Sequence, residues 1–200
     1  MIKAIVFDMD GVLIDSFTAW FNRFNNTLKH FGFKQIGLNE FRNHIWAINF
    51  AETADKYFPG VKIDQIREYY LETFEMFVKD IRKIPNVEST LKSLKEKNLT
   101  LAVASNTQSN IVKKILERLN ILQYFSVIIG GEMVKKGKPD PEILFVALNK
   151  LKMKPEEIFY VGDTIYDKQA AEKAKIKFIG YEIDGDERVD DLKELPEILS

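Results

Sequence analysis

Five short apolar segments, separated by longer amphipathic stretches, constrain the fold of this chain more than any other feature. Each has the length of a strand, is rich in β-branched or aromatic residues and ends at a polar turn. The segments occupy residues 2–7, Leu99–Ala104, Val127–Ile129, Ile158–Val161 and Lys177–Gly180. Helical patterns lie between the later segments, and strands that alternate with helices favour a parallel sheet. We therefore predict an α/β fold, a Rossmann-like parallel sheet with helices on both faces.

A long helical block interrupts this alternation after the first predicted strand. From residue 16 onward, aromatic side chains recur at steps of three and four, beginning with Phe17, Trp20 and Phe21, which is the spacing of one helix face. A second pattern predicts a single helix from Ile63 to Ile81. The sequence thus predicts an all-helical cap domain over residues 16–82. This cap is inserted into an α/β core domain formed by residues 1–15 and 83–200.

The composition limits the classes of partner. The 200 residues are 46% hydrophobic and 30% charged with a net charge of −1, values typical of a globular chain in water. This balance argues against nucleic acid or a membrane surface as the main partner. Cysteine is absent, so disulfides and thiolate metal ligands are excluded. We find no signal peptide and no membrane-spanning stretch, and we expect a cytoplasmic protein that is a monomer or a homodimer.

Two aspartates follow the first predicted strand directly. Asp8 and Asp10 stand two residues apart, so both side chains can point into the same space while Met9 faces away. Ligands of open parallel sheets bind beyond the carboxyl ends of the strands. Two carboxylates in a small volume repel each other unless a cation or a proton intervenes, and oxygen ligands suit Mg²⁺. Taken alone, the pair is better explained as a solvated turn rich in aspartate.

Further polar residues follow other predicted strands. Ser105 and Asn106 come after the second strand, where a hydroxyl and backbone N–H groups at a helix start suit phosphate oxygens. Lys138 offers a positive charge ahead of a helix opened by proline, and Asp163 and Asp167 come after the fourth strand. Individually, Ser105 is compatible with a helix cap and Lys138 with a surface residue. Their shared position at strand ends and helix starts favours one common site.

The order of these groups resembles the four motifs of the haloacid dehalogenase-like hydrolase superfamily. The likeness covers nearly the whole chain, and the helical block resembles the cap of its phosphoglycolate phosphatase and β-phosphoglucomutase branch. The resemblance implies that Asp8 is the nucleophile and becomes an aspartyl-phosphate, and that Asp10 is the general acid and base. It also implies that Mg²⁺ is bound by Asp8, by the backbone carbonyl of Asp10 and by Asp163.

The same resemblance assigns the remaining motif residues. Ser105, Asn106 and Lys138 are implied to bind the phosphoryl oxygens, with Lys138 counted among the catalytic groups. The resemblance implies an indirect role for Asp167, which acts either through a water on the metal or by orienting Lys138. The motifs therefore describe one phosphoryl-transfer site that is built from four strand ends.

The expected function is a magnesium-dependent phosphatase that hydrolyses a small-molecule phosphate ester. A sugar phosphomutase and a non-catalytic module on the same fold are the alternatives. The Gly-x-x-Arg signature of several branch members is absent around residues 42–46, which argues against the mutase. The complete set of motif acids and the motif lysine argues against the non-catalytic module. In the cap, we take Arg42, His44 and Trp46 as candidate substrate contacts.

Overall fold

The computed structural model describes residues 1–48 and 50–198, apart from the side chains of Ala51 and Glu52. A parallel six-stranded sheet has the order β5-β4-β1-β6-β7-β8, and a separate antiparallel ribbon pairs β2 with β3. The strands are β1 (Ala4–Phe7), β2 (Ile14–Asp15), β3 (Arg82–Lys83), β4 (Thr100–Ser105), β5 (Val127–Gly130), β6 (Ile158–Gly162), β7 (Lys177–Tyr181) and β8 (Glu187–Val189). The helices are α1 (Phe17–His30), α2 (Leu38–His44), α3 (Phe50–Tyr57), α4 (Ile63–Glu72), α5 (Phe74–Val78), α6 (Val87–Glu96), α7 (Ser109–Arg118), α8 (Glu142–Leu151), α9 (Ile165–Ala174) and α10 (Leu195–Ile198). Among these described residues, no helix combines the length and the apolarity that are needed to cross a membrane.

The side chains of β1 divide the core into two layers. Ile5 and Phe7 join a hydrophobic cluster with α6 and α7, whereas Ala4 and Val6 join a second cluster with α8 and α9. This division follows from the strand period of two, which sends successive side chains to opposite faces. The prediction of a parallel sheet with helices on both faces is confirmed.

The position of β1 in the sheet determines where polar groups can meet. β4 and β5 lie on one side of β1, and β6, β7 and β8 lie on the other. The register pairs Phe7 with Val103 of β4 and with Val161 of β6. Since the strands are parallel, the residues that follow β4, β1 and β6 emerge at one edge of the sheet. This edge is also the point where the strand order reverses, the usual ligand position in open α/β sheets.

Helices α1 to α5 are connected to the sheet through the β2–β3 ribbon. A third hydrophobic cluster lies within these helices, with Phe24, Phe41 and Phe58 among its buried members. Edge-to-face ring contacts dominate this cluster, which is the geometry that aromatic quadrupoles prefer. The predicted domain limits at residues 15/16 and 82/83 fall at the ribbon, and the division into core and cap stays a prediction.

The single helix expected over Ile63–Ile81 is wrong. The chain forms α4 and α5 instead, with Thr73 between them. The Thr73 hydroxyl donates to the carbonyl oxygen of Tyr69 at 2.7 Å, and a threonine hydroxyl that bonds back to the preceding turn tends to bend a helix. Hydrophobic periodicity continues across this break because both helices pack against α1.

Strand β8 has no counterpart among the predicted strands. It lies at the edge of the sheet beside β7, and its Glu187 and Arg188 are exposed while only Val189 is buried. A strand with one buried side chain lacks the apolar run by which the other strands were recognised.

We predict that Phe58→Ala lowers the free energy of unfolding by about 3–5 kcal/mol. Phe58 is 1% exposed and makes ring contacts with Phe24, Phe31 and Phe33, so its removal leaves a cavity within the aromatic cluster. Urea unfolding followed by tryptophan fluorescence measures the change. Met76→Ala is the control, since Met76 is 56% exposed and its truncation should change stability by less than about 0.5 kcal/mol. A similar loss in both variants would contradict the assignment of Phe58 to the cluster core.

Candidate active site

Asp8 lies at the carboxyl end of β1 and is almost fully buried. Its backbone N–H donates to the Val161 carbonyl at 2.8 Å, which continues the β1–β6 ladder to the point where the site begins. Gly11 then turns the chain with a φ of +88°, a conformation that glycine adopts without strain. A Cβ on Gly11 would lie 2.1 Å from Asp163 Oδ2. The glycine therefore allows the loop after β1 to pass directly over the acid after β6.

Lys138 is the cation of the site and is 2% exposed. Its Nζ lies 2.7 Å from Asp8 Oδ1 and 2.6 Å from Asp167 Oδ1, and it also donates to the Tyr160 hydroxyl at 3.0 Å. Burial alone would lower the pKa of Lys138, but the carboxylates of Asp167 and Asp8 outweigh burial and raise it above its usual value. The lysine is therefore an ammonium group at neutral pH. The expectation that Asp167 orients Lys138 agrees with this geometry.

Asp167 is held by neighbours on its own helix and strand. Its Oδ1 accepts hydrogen bonds from Lys138 and, at 2.6 Å, from the Tyr160 hydroxyl. Its Oδ2 accepts from the backbone N–H of Thr164 at 3.1 Å and from the Thr164 hydroxyl. Thr164 in turn caps α9, because its hydroxyl accepts from the Asp167 N–H. Since both oxygens of Asp167 have partners, this carboxylate acts as a fixed support for the lysine.

The Asp10 carboxylate accepts hydrogen bonds from α1, from the residue before α1 and from the loop after β4. Ser16 Oγ and Trp20 Nε1 each donate to Asp10 Oδ1 at 2.6 Å, and Thr107 Oγ1 donates to Oδ2 at 3.2 Å. Burial raises the pKa of Asp10, while the three donors oppose that rise. Asp10 and Asp8 thus have separate surroundings, one defined by neutral donors and the other by a lysine. Such a separation gives two neighbouring acids different tasks.

Three carboxylates form a group that could hold a metal ion. Oxygen atoms of Asp8, Asp163 and Asp167 lie within 4.8 Å of one another. Burial raises the pKa of Asp163 to about 8, with the charges of Asp8 and Asp167 adding to the rise, and burial raises that of Asp8 to about 7. Asp163 Oδ1 is buried without a hydrogen-bond partner among the described residues. A crowded set of acids with an unused oxygen is a donor set that suits a hard divalent cation.

The carboxylate group differs in one member from the predicted metal ligands Asp8, Asp10 and Asp163. The Asp10 side chain lies outside it, because that side chain is bound by Ser16 and Trp20. This arrangement leaves only the backbone carbonyl of Asp10 for the predicted ligation. Asp167 belongs to the group by distance, although its oxygens are already bound by the lysine, the tyrosine and the threonine.

The structure places Ser105 and Asn106 at the end of β4, beside the site. Ser105 is buried, and its hydroxyl accepts from the Thr107 N–H at 3.1 Å. The Asn106 side chain accepts from the Lys138 N–H at 2.9 Å and donates to the carbonyls of Lys138 and Ala47. That Asn106 binds phosphate stays a prediction, and its side-chain amide already has other partners. That amide is used to hold the Lys138 loop against the cap, which leaves its backbone N–H for a ligand.

A cavity of about 490 Å³ lies between these residues and the predicted cap. Its floor includes Asp8, Asp10, Ser105, Thr107 and Lys138. Its opposite wall is formed by side chains of the helical segment, namely Trp20, Arg23, Phe24, Phe41, Ile45, Trp46, Ile48, Phe50, Arg67, Tyr70 and Leu71. The cavity is therefore bounded by charged groups on one side and by mainly aromatic side chains on the other.

The three candidate cap contacts lie in different surroundings and stay predictions. Trp46 lines the cavity, but Arg42 and His44 are exposed and lie outside its lining. The buried face of α2 is formed by Phe41, so the residues beside it on the helix point towards solvent. The Arg42 guanidinium lies over the ring of Phe17, 4.7 Å from its centroid, where it covers the aromatic cluster.

Several residues of the site escaped the sequence analysis. Ser16, Trp20 and Thr107 hold Asp10, and Tyr160 holds Asp167 and Lys138. Tyr160 belongs to the apolar run of β6, where a fully buried tyrosine hydroxyl needs a partner. The requirement of this hydroxyl for a partner was the one signal in the sequence that could have indicated a role for Tyr160. Trp20 was included in the aromatic face of α1, and its indole N–H gave no sign of a polar partner.

Comparison with known proteins identifies the class to which this fold and this site belong. A family model described as haloacid dehalogenase-like hydrolase matches residues 5–181, and the chain belongs to that family. The phosphoglycolate phosphatase of Aquifex aeolicus is 34% identical over 88% of this chain and 82% of its own length. A phosphorylated carbohydrates phosphatase of Thermotoga maritima is 29% identical over 88% and 83%. The structure of CbbY from Rhodobacter sphaeroides in complex with phosphate shares the fold, with a TM-score of 0.88, 24% identity and coverage of 98% and 96%.

We predict that Asp163→Asn stabilises the metal-free protein, and more so at high pH. The pKa of Asp163 rises from 3.8 to about 8 on folding, so the folded state holds this proton more tightly than the unfolded state. Stability from this group is therefore present at low pH and lost as the pH rises between these two values. Asparagine removes that loss. Melting temperatures in a chelator at about pH 5 and about pH 8.5 measure the effect.

Asp55→Asn is the matched control for this measurement, because Asp55 is exposed on α3. Its melting temperature should follow that of the unaltered protein at both pH values. A melting temperature of Asp163→Asn that stays below that of the unaltered protein at high pH would show that Asp163 is not under electrostatic strain.

Proposed function

We propose that this protein is a magnesium-dependent phosphatase that hydrolyses a small-molecule phosphate ester through an aspartyl-phosphate on Asp8. The arrangement of Asp8 carries the proposal: its carboxylate lies 2.7 Å from the Lys138 ammonium at the floor of a cavity large enough for a metabolite. Phosphoryl transfer depends mainly on positioning and on neutralising charge. An acid beside a fixed cation provides both for an incoming phosphate group. The phosphatase names of the related proteins support the same class of reaction.

In this mechanism Asp8 and Asp10 have successive roles. An oxygen of Asp8 forms a bond to phosphorus as the ester oxygen leaves, and Asp10 gives its proton to that leaving oxygen. A water molecule then attacks the phosphorus of the aspartyl-phosphate and transfers a proton to Asp10. The P–O bond to Asp8 breaks, inorganic phosphate is released, and both acids return to their starting states. The hydroxyl and indole donors around Asp10 hold it in place beside the nucleophile.

Lys138 and Ser105 bind the oxygens of the transferring group in this proposal. The nearby carboxylate of Asp167 favours the charged form of Lys138, and the Asn106 amide holds the loop that carries Lys138. Positive charge fixed before the reaction begins stabilises a transition state at no reorganisation cost. Backbone N–H groups after β4 complete the phosphate contacts.

Mg²⁺ fits the acids at the ends of β1 and β6. Asp8, the backbone carbonyl of Asp10 and Asp163 would hold it, and the unpartnered Oδ1 of Asp163 supports this choice. The metal would neutralise charge on the phosphoryl oxygens and lower the repulsion between phosphate and carboxylate. We retain the expectations of a cytoplasmic enzyme, a monomer or homodimer, that acts on a small phosphate ester without nucleic acid or membrane partners.

We predict that Asp8→Asn lowers phosphate release by at least about a thousandfold. The substitution removes the nucleophile while keeping the shape of the side chain. Phosphate release from a panel of metabolite esters, with and without Mg²⁺, measures the loss, and intact-protein mass spectrometry detects the phosphorylated form. Asp15→Asn is the control, because Asp15 is an exposed residue of β2. This variant should keep its activity. Turnover that survived Asp8→Asn would refute the mechanism, and isomerisation of a sugar phosphate without phosphate release would indicate a mutase.

We predict that Asp10→Asn separates the two chemical steps. With p-nitrophenyl phosphate the leaving group needs no proton, so formation of the aspartyl-phosphate should continue, whereas water activation should fail. Rapid mixing should then show a burst of about one nitrophenolate per active site, followed by slow turnover. A folded variant that shows neither burst nor turnover would mean that Asp10 is also required for formation of the aspartyl-phosphate, and turnover at the unaltered rate would mean that Asp10 does not act as the base.

A further inference from the structure

A buried guanidinium lies in the wall of the cavity, opposite the motif residues. Arg23 of α1 is 4% exposed and lies between aromatic rings, with its Cζ 5.1 Å from the Trp20 ring, 4.3 Å from the Tyr70 ring and 5.7 Å from the Phe74 ring. Burial lowers its pKa only to about 10, so the group is charged at neutral pH. It lines the same cavity as Asp8 and Lys138.

The charge of Arg23 has little compensation from the protein. Its Nη2 donates to the Tyr70 carbonyl oxygen, and its Nε is buried with no hydrogen-bond partner among the residues that the structure describes. Within the part of the chain that the structure describes, no carboxylate forms an ion pair with it. A buried cation with an unused donor is costly unless an anion arrives from outside. The planar fork of arginine suits carboxylate and phosphate oxygens in particular.

The charges elsewhere in the cavity wall also favour an anion. Arg67 and Lys135 line the cavity above its floor. Among the described residues that line this part of the cavity wall, Glu132 is the acidic one. Both of its oxygens accept hydrogen bonds from Ser109. Away from Asp8 and Asp10, the described lining is therefore positively charged.

The side chain of Trp20 lies between Asp10 and Arg23. Its Nε1 donates to Asp10 at 2.6 Å, and its ring lies beside the Arg23 guanidinium. A single indole therefore connects the proposed acid with the buried cation. A ligand lying along this indole would have one end near Asp10 and the other near Arg23.

We propose that Arg23 binds a second anionic group of the substrate, so that the enzyme prefers short phosphate esters that carry a carboxylate or a second phosphate. This inference rests on the proposed phosphatase function and names the substrate class of the same site. Arg23 would act on specificity, since the second anion is remote from the bond that breaks. The binding energy that it supplies would position the ester over Asp8.

The test compares esters that differ in their second group. 2-Phosphoglycolate supplies a carboxylate, ethylene glycol bisphosphate supplies a second phosphate, and 2-phosphoglycolamide is the neutral counterpart of the first. With Mg²⁺, we expect kcat/KM for at least one anionic ester to exceed that for the amide by about 10- to 100-fold, the effect of one hydrogen-bonded charge. The better of the two anionic esters identifies the second group. Equal values for all three would overturn the proposal.

Arg23→Met should lower kcat/KM for the anionic esters more than for the neutral amide, so that the preference is lost, since the charged contact is what distinguishes these substrates. Lys56→Met is the matched control: Lys56 also lies over an aromatic ring, 5.0 Å from the centroid of Tyr57, but on the surface. That variant should keep the preference. If Arg23 only joined α1 to α4, its loss would lower activity on all esters equally, and a preference that persisted in Arg23→Met would overturn the proposal.

Arg23→Lys covers the case in which Arg23→Met does not fold. Lysine keeps the charge but loses the planar fork, so the preference should fall part of the way, and an unchanged preference would count against the proposal. Absence of turnover with every ester would refute the phosphatase function itself. That result is distinct from turnover without preference, which refutes only the role of Arg23.

Discussion

The buried contact of Lys138 with Asp8 and Asp167 is the interaction on which the site depends. A lone ammonium or carboxylate at this depth would be costly, so each group requires the others. Asp8 follows β1, Asp167 belongs to α9 and Tyr160 belongs to β6, so the contact forms only when these elements are in register. The same cluster therefore links the correct fold of the sheet edge to the chemistry at that edge. Its excess of acids over cations also creates the demand for a divalent cation.

The strands of the sheet and the helices that pack on it could be predicted because burial alone produces their hydrophobic periodicity. Burial on the two faces of β1 produces continuous apolar runs, and left-handed residues such as Asn98 and Asn120 end the helices that follow. The exceptions arise where burial is not the dominant force. β8 is an edge strand with one buried residue, and the break at Thr73 depends on a local hydrogen bond that periodicity does not register.

The candidate site likewise contains residues that could be predicted from the sequence and residues that could not. The motif residues at strand ends could be located from the sequence, because strand ends of a parallel sheet converge. The cap residues could not, because an aromatic or arginine side chain on a helix has the same pattern whether it fills a core or faces a ligand. Arg42 and Arg23 illustrate this point: both lie over aromatic rings, but only Arg23 lines the cavity. Arg23 lines the cavity where α1 meets α4, with its guanidinium against the ring of Tyr70.

Helix α1 connects the proposed catalytic acid with the proposed anion contact. Trp20 and Arg23 are three residues apart and so lie on one face of the helix; the first holds Asp10 and the second is the proposed anion contact. A second link, from Asn106 to the Ala47 carbonyl, joins the Lys138 loop to the helical segment. Any shift of this segment relative to the sheet must therefore move the acid and the anion contact together. The proposed acid and the proposed anion contact therefore share one positioning side chain, the indole of Trp20.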